Sequence, residues 1–170
     1  GPWFESRIAH LQRMQIYGVS FDMVGKQPIV LLKTTDGNRF LPIWIGQVEA
    51  NSIAVALEGI REPRPMTHDL IHGILVELAI ELVRIEVWAL REGTFIGRLR
   101  LRRGEERCEV DARPSDAIAL AVRAGAPIWV ARTVLDEALQ LDLAMLGQEE
   151  ERLREWLERA RPEDLGKYTM

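Results

Sequence analysis

The stretch DARPSDAIALAVRAGAPIWV, residues 111–130, crowds two carboxylates, an arginine, a proline and a serine into six positions, then becomes an alanine-rich apolar run. Pro114 suits a first helical turn, where its missing N–H costs no intrahelical bond, and Ser115 and Asp116 suit the positive end of a helix dipole. The pattern predicts a helix over Pro114–Arg123 and a short strand over Pro127–Val130. Arg113 is the residue that helix capping does not explain. A guanidinium beside a helix N-terminus needs an anion, either Asp111, Asp116 or Glu49 from the chain itself or a bound phosphate.

The same pattern has an echo upstream. GQVEANSIAVALEG (46–59) matches RPSDAIALAVRAG (113–125) at an offset of about 65 residues, and a strand and a hairpin precede each. In the first half, Gln15–Val24 and Pro28–Thr35 read as strands, and Asp36-Gly37 before a strand over Asn38–Ile45 signals a type I′ turn. Ile53, Ala56 and Leu57 then keep helical spacing over Glu49–Leu57, and Gly59 stops the helix. After the proline-bearing linker Arg61–Met66, Thr67 is expected to cap a helix with Asp69 in its first turn and an apolar face through Leu70, Ile74, Leu78 and Leu82. In the second half, strands are expected at Arg84–Leu90, Thr94–Arg102 and Arg107–Asp111, with Gly104 in the last loop and a further helix at Val134–Leu141. The expected fold is α+β: two copies of a unit of strands and helices forming one curved, barrel-like mixed sheet with helices packed outside.

At 170 residues, with 47% hydrophobic and 28% charged residues, the chain fits one soluble domain with a short appendage. A net charge of −4 gives no bulk attraction to nucleic acid or an anionic membrane. No apolar run is long enough to span a bilayer, and the lone Cys108 excludes an internal disulfide, so a cytoplasmic setting is expected. Cys108 falls in an alternating strand and is read as a buried structural thiol. Residues 1–13 read as an N-terminal extension, 14–146 as the domain, and 147–170 as a helical extension whose Leu153, Trp156, Leu157 and Ala160 form a stripe on a charged helix. That stripe leads to the expectation of a homodimer docked through this helix.

Two further patterns carry chemistry in principle. HDLIH (68–72) is similar to a zincin motif with aspartate replacing glutamate, but no third ligand follows, and a helix first turn explains it better. Arg98, Arg100 and Arg102 share one strand face. Pairing across the Gly104 loop would set Arg100 opposite Glu109 and Arg98 opposite Asp111, a solvated salt-bridge ladder in preference to a nucleic-acid groove. Phosphate-binding glycine loops and the nucleophile-elbow motif are absent, and the aromatics, Trp44 and Trp129 among them, read as core.

Taken together, LPIWIGQVE (41–49), RPMTHDL (64–70), EGTF (92–95), ARPSDAIALAVR (112–123) and GAPIWV (125–130) resemble the bifunctional nuclease domain family, from about Met14 to about Asp142. The resemblance implies an α+β fold of duplicated halves and hydrolysis of DNA and RNA phosphodiesters. It brings no catalytic mechanism to carry over. The polar residues inside the motifs are the site candidates. Glu49, His68, Asp69 and Asp116 are the catalytic set, and Arg113, Ser115 and Thr67 are the substrate-binding set. Asp111, Asp116 and Glu49 are the ligands for magnesium or manganese. The competing expectation is a non-catalytic binding, assembly or regulatory module in which Arg113 and Asp116 only hold helices together.

Overall fold

The computed structural model describes residues 10–20, 27–37, 39–138, 141–142 and 155. The chain order is β1 (Leu11–Ser20), β2 (Ile29–Thr34), β3 (Arg39–Trp44), α1 (Gln47–Leu57), α2 (Thr67–Glu77), β4 (Glu81–Arg91), β5 (Thr94–Arg103), β6 (Glu106–Ala112), α3 (Pro114–Ala124), β7 (Ile128–Ala131), α4 (Arg132–Glu137) and the two-residue β8 (Leu141–Asp142). One mixed sheet runs β6-β5-β4-β7-β1-β2-β3-β8. Each half is an antiparallel meander followed by a helix, and β7 joins them, antiparallel to β1 and parallel to β4. The mixed α/β class is as expected. The barrel-like closure is not formed: β6 and β8 are open edges of the described sheet.

Alternation along the strands decides which side packs. Ile85, Val87, Leu99 and Leu101 point into a core completed by Ile53 of α1 and Ala117, Ile118 and Ala121 of α3. Trp44 is buried and Trp129 packs against the core. β1 begins at Leu11, which pairs with Ala131, so three residues before Met14 already belong to the sheet. The expected end of this strand, residues 21–24, lies outside the described residues, as does the expected stripe at 153–160.

Several local expectations are corrected. Neither Asp36 nor Gly37 has the positive φ of a type I′ turn. That geometry occurs instead at Glu92-Gly93 (φ 52° and 76°), the two-residue loop between Arg91 and Thr94. Gly104, φ 61°, opens the equally short loop between Arg103 and Glu106. Cys108 is exposed, because β6 is an edge strand with both faces largely open. In α2 the cap residue is Met66, Thr67 being the first helical residue, and the helix ends at Glu77 because Ala79 takes φ 56°. Leu70, Ile74 and Leu78 point outward. The inward row is His68, Ile71 and Leu75, one residue round the helix, and periodicity alone does not choose between neighbouring rows.

The register of the arginine stripe is as expected, Arg98 facing Asp111 and Arg100 facing Glu109. Its centre is not solvated. Glu86 is fully buried and accepts from Arg84 Nε at 2.6 Å, Arg98 Nε at 2.7 Å and Arg100 Nε at 3.3 Å. Burial pushes the Glu86 carboxyl up, but the bonds from Arg84 and Arg98 and the charge of Arg100 outweigh it and hold the group below the usual carboxylate range. Removing the carboxylate leaves three guanidinium groups crowded around an uncompensated site. Glu86→Ala is expected to cost about 3–5 kcal/mol, read as a lowered midpoint in urea unfolding. Glu86→Asp, which keeps the charge, is expected to lose less.

Candidate functional site

Three helix N-terminal regions meet on one side of the sheet, and each contributes through its first turns. The corner from β6 into α3 is tight: a Cβ on Gly97 would stand 2.7 Å from the Ala112 carbonyl and 3.2 Å from Pro114 N, so only glycine lets β5 pass there. The corner sets Arg113 as the N-cap of α3, with extended φ −64° and ψ 143°, and Asp116 one turn on. At the start of α1, Gly46 is likewise bare where a side chain would collide with the Glu49 carboxylate.

Arg113 is answered from within the chain. Its Nε donates to Asp116 Oδ2 at 2.9 Å and its Nη2 lies 2.9 Å from Glu49 Oε1. Its side chain is still 54% exposed, so one flank of the guanidinium faces solvent while the other is fixed. The bond to Asp116 raises the Arg113 pKa further. The second Asp116 oxygen, Oδ1, lies 2.8 Å from Nε2 of the buried His68, and His68 Nδ1 lies 2.6 Å from Ser52 Oγ.

The proton positions along this chain follow from what each group can do. Burial pushes the Asp116 carboxyl up, but the bonds from Arg113 and His68 prevail and keep it below its ordinary value. An ionised Asp116 accepts only, so His68 Nε2 carries a proton toward it. Ser52 Oγ accepts from Arg123 Nη2 at 3.1 Å, which leaves its own hydroxyl proton for His68 Nδ1 in the neutral imidazole.

A second guanidinium closes the network behind the histidine. Arg123 Nε donates to Asp69 Oδ1 at 2.7 Å, Nη1 to the Ala119 carbonyl at 2.9 Å and Nη2 also to the Ser52 carbonyl at 3.3 Å. Asp69 Oδ2 takes the Met66 N–H at 3.0 Å, so Asp69 both caps α2 and ties it to α3. The hydrogen bond from Arg123 is the main cause that lowers the Asp69 pKa.

The candidates therefore separate. Glu49, His68, Arg113 and Asp116 form one connected group, and Asp69 joins it only through Arg123 and Ser52. Asp111 stands on β6 opposite Arg98. Thr67 is exposed at the start of α2, and Ser115 is wholly buried, its hydroxyl without a partner among the described residues. Ser52 and Arg123 are members the sequence reading passed over. Their signal was spacing: Ser52 lies one turn after Glu49, and Arg113, Asp116 and Arg123 fall on one face of α3. Among the described residues, no three His, Cys, Asp or Glu side chains are close enough to share a metal ion. Glu49 and Asp116 are two carboxylates converging on a single cation, the Arg113 guanidinium.

Because Asp116, Asp69 and Glu86 are all held below their ordinary values, each contributes stability that is complete above the unfolded carboxylate pKa of about 4 and lost as pH falls through the lower folded value. Urea titrations from pH 7 to pH 2 are expected to show stability falling below about pH 4. Asp116→Asn should have a shallower acid limb and, at pH 7, a loss of about 1–3 kcal/mol from weakened bonds to His68 and Arg113.

The comparisons with known proteins agree with this core. The family model of the bifunctional nuclease domain matches residues 30–142. An uncharacterized protein of Mycobacterium tuberculosis is 38% identical over 160 residues, covering 89% of this chain and 96% of its own length. Bifunctional nuclease 1 of Oryza sativa subsp. indica is 28% identical over 109 residues, covering 62% of this chain and 33% of its own. Bifunctional nuclease 2 of Oryza sativa subsp. japonica is 26% identical over 112 residues, covering 64% and 34%. The matched span includes Glu49, Ser52, His68, Asp69, Arg113, Asp116 and Arg123, and on this evidence the chain belongs to the bifunctional nuclease domain family.

Proposed function

We propose that this chain is a nuclease that hydrolyses phosphodiester bonds of DNA and RNA at the Glu49–Arg113–Asp116–His68 group. The observation that carries the reading is the double engagement of Asp116, which holds an imidazole on one oxygen and a half-exposed guanidinium on the other. Phosphodiester hydrolysis needs an anchor for a phosphate oxygen and a group that moves a proton. Arg113 is the anchor: pinned from behind by Glu49 and Asp116, it presents N–H groups to solvent without having to be ordered on binding. Water attacks phosphorus as the P–O bond to the leaving oxygen breaks, and the proton that water loses is the one the leaving oxygen gains; His68, bonded to Ser52 Oγ at Nδ1 and to Asp116 at Nε2, is the acid–base group of the relay that carries it. Asp69 and Arg123 are positioning residues that hold Ser52 and α2 in place. Membership of the family and the nuclease names of the rice relatives support this reading.

A magnesium or manganese ion belongs to the proposal. Such hard cations often use only one or two carboxylates and take their other oxygens from water and phosphate, so Glu49 and Asp116 are the residues that would hold one, exchanging their contacts with Arg113 for the ion and releasing the guanidinium to the phosphate. Bound there, the ion would polarise a phosphoryl oxygen. Asp111, across the sheet edge on β6, is outside that pair. We further propose that the two meander-and-helix halves are copies of one ancestral unit and that the protein works in the cytoplasm. No helix among the described residues is long and apolar enough to cross a membrane.

One observation favours a second reading, a non-catalytic module: Glu49, Asp69 and Asp116 each already lie against an arginine. Hydrolysis assays on single- and double-stranded DNA and RNA separate the two. Under the nuclease reading, Arg113→Ala and Asp116→Ala each lower the rate on the order of 10²-fold while remaining folded, and EDTA lowers it reversibly. A rate equal in wild type and both variants would assign the hydrolysis to a contaminant and favour the non-catalytic reading.

A further inference from the structure

Trp88 is set apart from the other aromatics of its half of the sheet. Phe95 is core and Trp129 packs against it, whereas Trp88 is half-buried and belongs neither to the core cluster nor to the side chains packed on it. Strand β4 bulges at this residue: Val87 pairs with Gly97 and Ala89 with Ile96, which leaves Trp88 as the extra residue between them. A bulge re-aims a side chain, and bulges collect beside working surfaces. Ile85, Val87 and Leu99 point toward the helices, so Glu86 and Arg98, which alternate with them, lie on the opposite face of the sheet. The indole lies there too, with Arg98 Cζ 4.8 Å and Arg91 Cζ 5.0 Å from its ring centroid.

The two arginines on the ring differ. Arg98 is held: its Nε donates to Glu86, its Nη1 lies 3.5 Å from Glu109, and Asp111 stands opposite it in the sheet. Arg91 is exposed and, among the described residues, has no carboxylate within salt-bridge distance, although Glu92 follows it in the turn. Its guanidinium rests on the indole by a cation–π contact, which is weak at an exposed site and readily exchanged. Arg84, Arg91, Arg98 and Arg100 are matched one for one by Glu86, Glu92, Glu109 and Asp111, so the face has no net positive field. What it offers a ligand is a flat ring and one cation free to turn. An unpaired nucleobase with its phosphate brings the complement of both. The subsite also adjoins the corner that carries Arg113, because Gly97 pairs with Val87 on one side and Ala112 on the other. Trp88 is therefore two strands, about 10 Å, from the end of β6. Past Gly97, the β5 residues Thr94–Ile96 have no β6 partner, so an open strand edge lies between the two places.

We infer that Trp88 and Arg91 form a stacking subsite for an unpaired base of single-stranded DNA or RNA, flanking the phosphate that Arg113 anchors. The inference rests on the nuclease reading for that anchor. The base takes the place of the Arg91 guanidinium over the indole, Arg91 turns to the phosphate of the same nucleotide, and Arg98, fixed by Glu86, holds the ring. A duplex keeps its base faces stacked within its own helix and has none to give, so the subsite selects single strands.

Fluorescence anisotropy of the full chain with labelled oligo(dT), and with the same strand annealed to oligo(dA), tests this in EDTA, where cleavage does not intervene. Oligo(dT) should bind about tenfold more tightly than the duplex. Trp88→Leu, which stays apolar but loses the flat ring, and Arg91→Ala should each weaken oligo(dT) binding about tenfold and leave duplex binding unchanged; Trp88→Phe should lose less. Arg91 is exposed, so Arg91→Ala keeps the wild-type melting temperature and decides the matter if Trp88→Leu does not fold. Two phosphate contacts, Arg91 and Arg113, give a shallow salt dependence, a log–log slope of about −1.4. Equal affinity for the two probes overturns the inference. So does oligo(dT) binding indifferent to Trp88→Leu and Arg91→Ala, a loss shared equally by the duplex, or a slope steeper than about −4, the mark of bulk phosphate attraction. Hydrolysis is scored separately. No hydrolysis, with oligo(dT) binding that depends on Trp88, overturns the nuclease reading and leaves the subsite standing; hydrolysis lost in Asp116→Ala, with binding indifferent to Trp88 and Arg91, overturns the subsite alone.

Discussion

The grip of one carboxylate on two bases sets the arrangement of the helices. Asp116 is placed by the turn from β6 into α3, and its oxygens reach in different directions, to His68 of α2 and to Arg113, which reaches on to Glu49 of α1. The N-terminal turns of the three helices are thereby fixed relative to one another by directional bonds. Without this carboxylate a buried imidazole would lose its acceptor and a guanidinium would stand unopposed at the positive end of a helix dipole. Both are costly in a part-buried setting, so the chain holds this corner in one geometry. The polar network therefore gives architectural precision to this corner.

Backbone sterics prepare that grip. Gly97 lets β5 pass under the β6–α3 corner, and Gly46 leaves room for the Glu49 carboxylate above the start of α1. In both places the missing Cβ serves the position of a charged group elsewhere. The arginine side of the sheet obeys a parallel logic: Glu86 gathers Arg84, Arg98 and Arg100 across two strands, so positive charge that would read as a phosphate-binding stripe is spent on internal pairing. This leaves Arg113, of the arginines in the two networks described here, as the one both oriented by carboxylates and more than half open to solvent.

Helix α2 divides into a buried row and an open one. Its inward row carries His68 to Asp116 and Ser52, and its outward row is Met66, Leu70 and Ile74. A short helix with such a division is stable through what it touches and not through its own propensity. Membership of the bifunctional nuclease domain family accounts for the fold.

The sequence by itself determined the α+β class, the meander-then-helix order of each half, the register of β5 on β6 and the family. These rest on strong local signals: alternation, Pro114 at a helix start, the short Gly104 loop, and motif strings in order. It also singled out Arg113 as a cation needing an anion. Only the tertiary structure decided which anions answer it, because Glu49 and Asp111 lie on different elements and nothing local says that one approaches while the other stands opposite Arg98 in the sheet. The same holds for Glu86, whose role exists only once Arg84, Arg98 and Arg100 are brought alongside, and for Ser52 and Arg123, which look like ordinary helix residues until α1 and α3 pack. Where two neighbouring rows of a helix are equally apolar, as in α2, periodicity is degenerate. The choice fell to the row containing His68, because burying that imidazole required a partner that only the folded chain supplies.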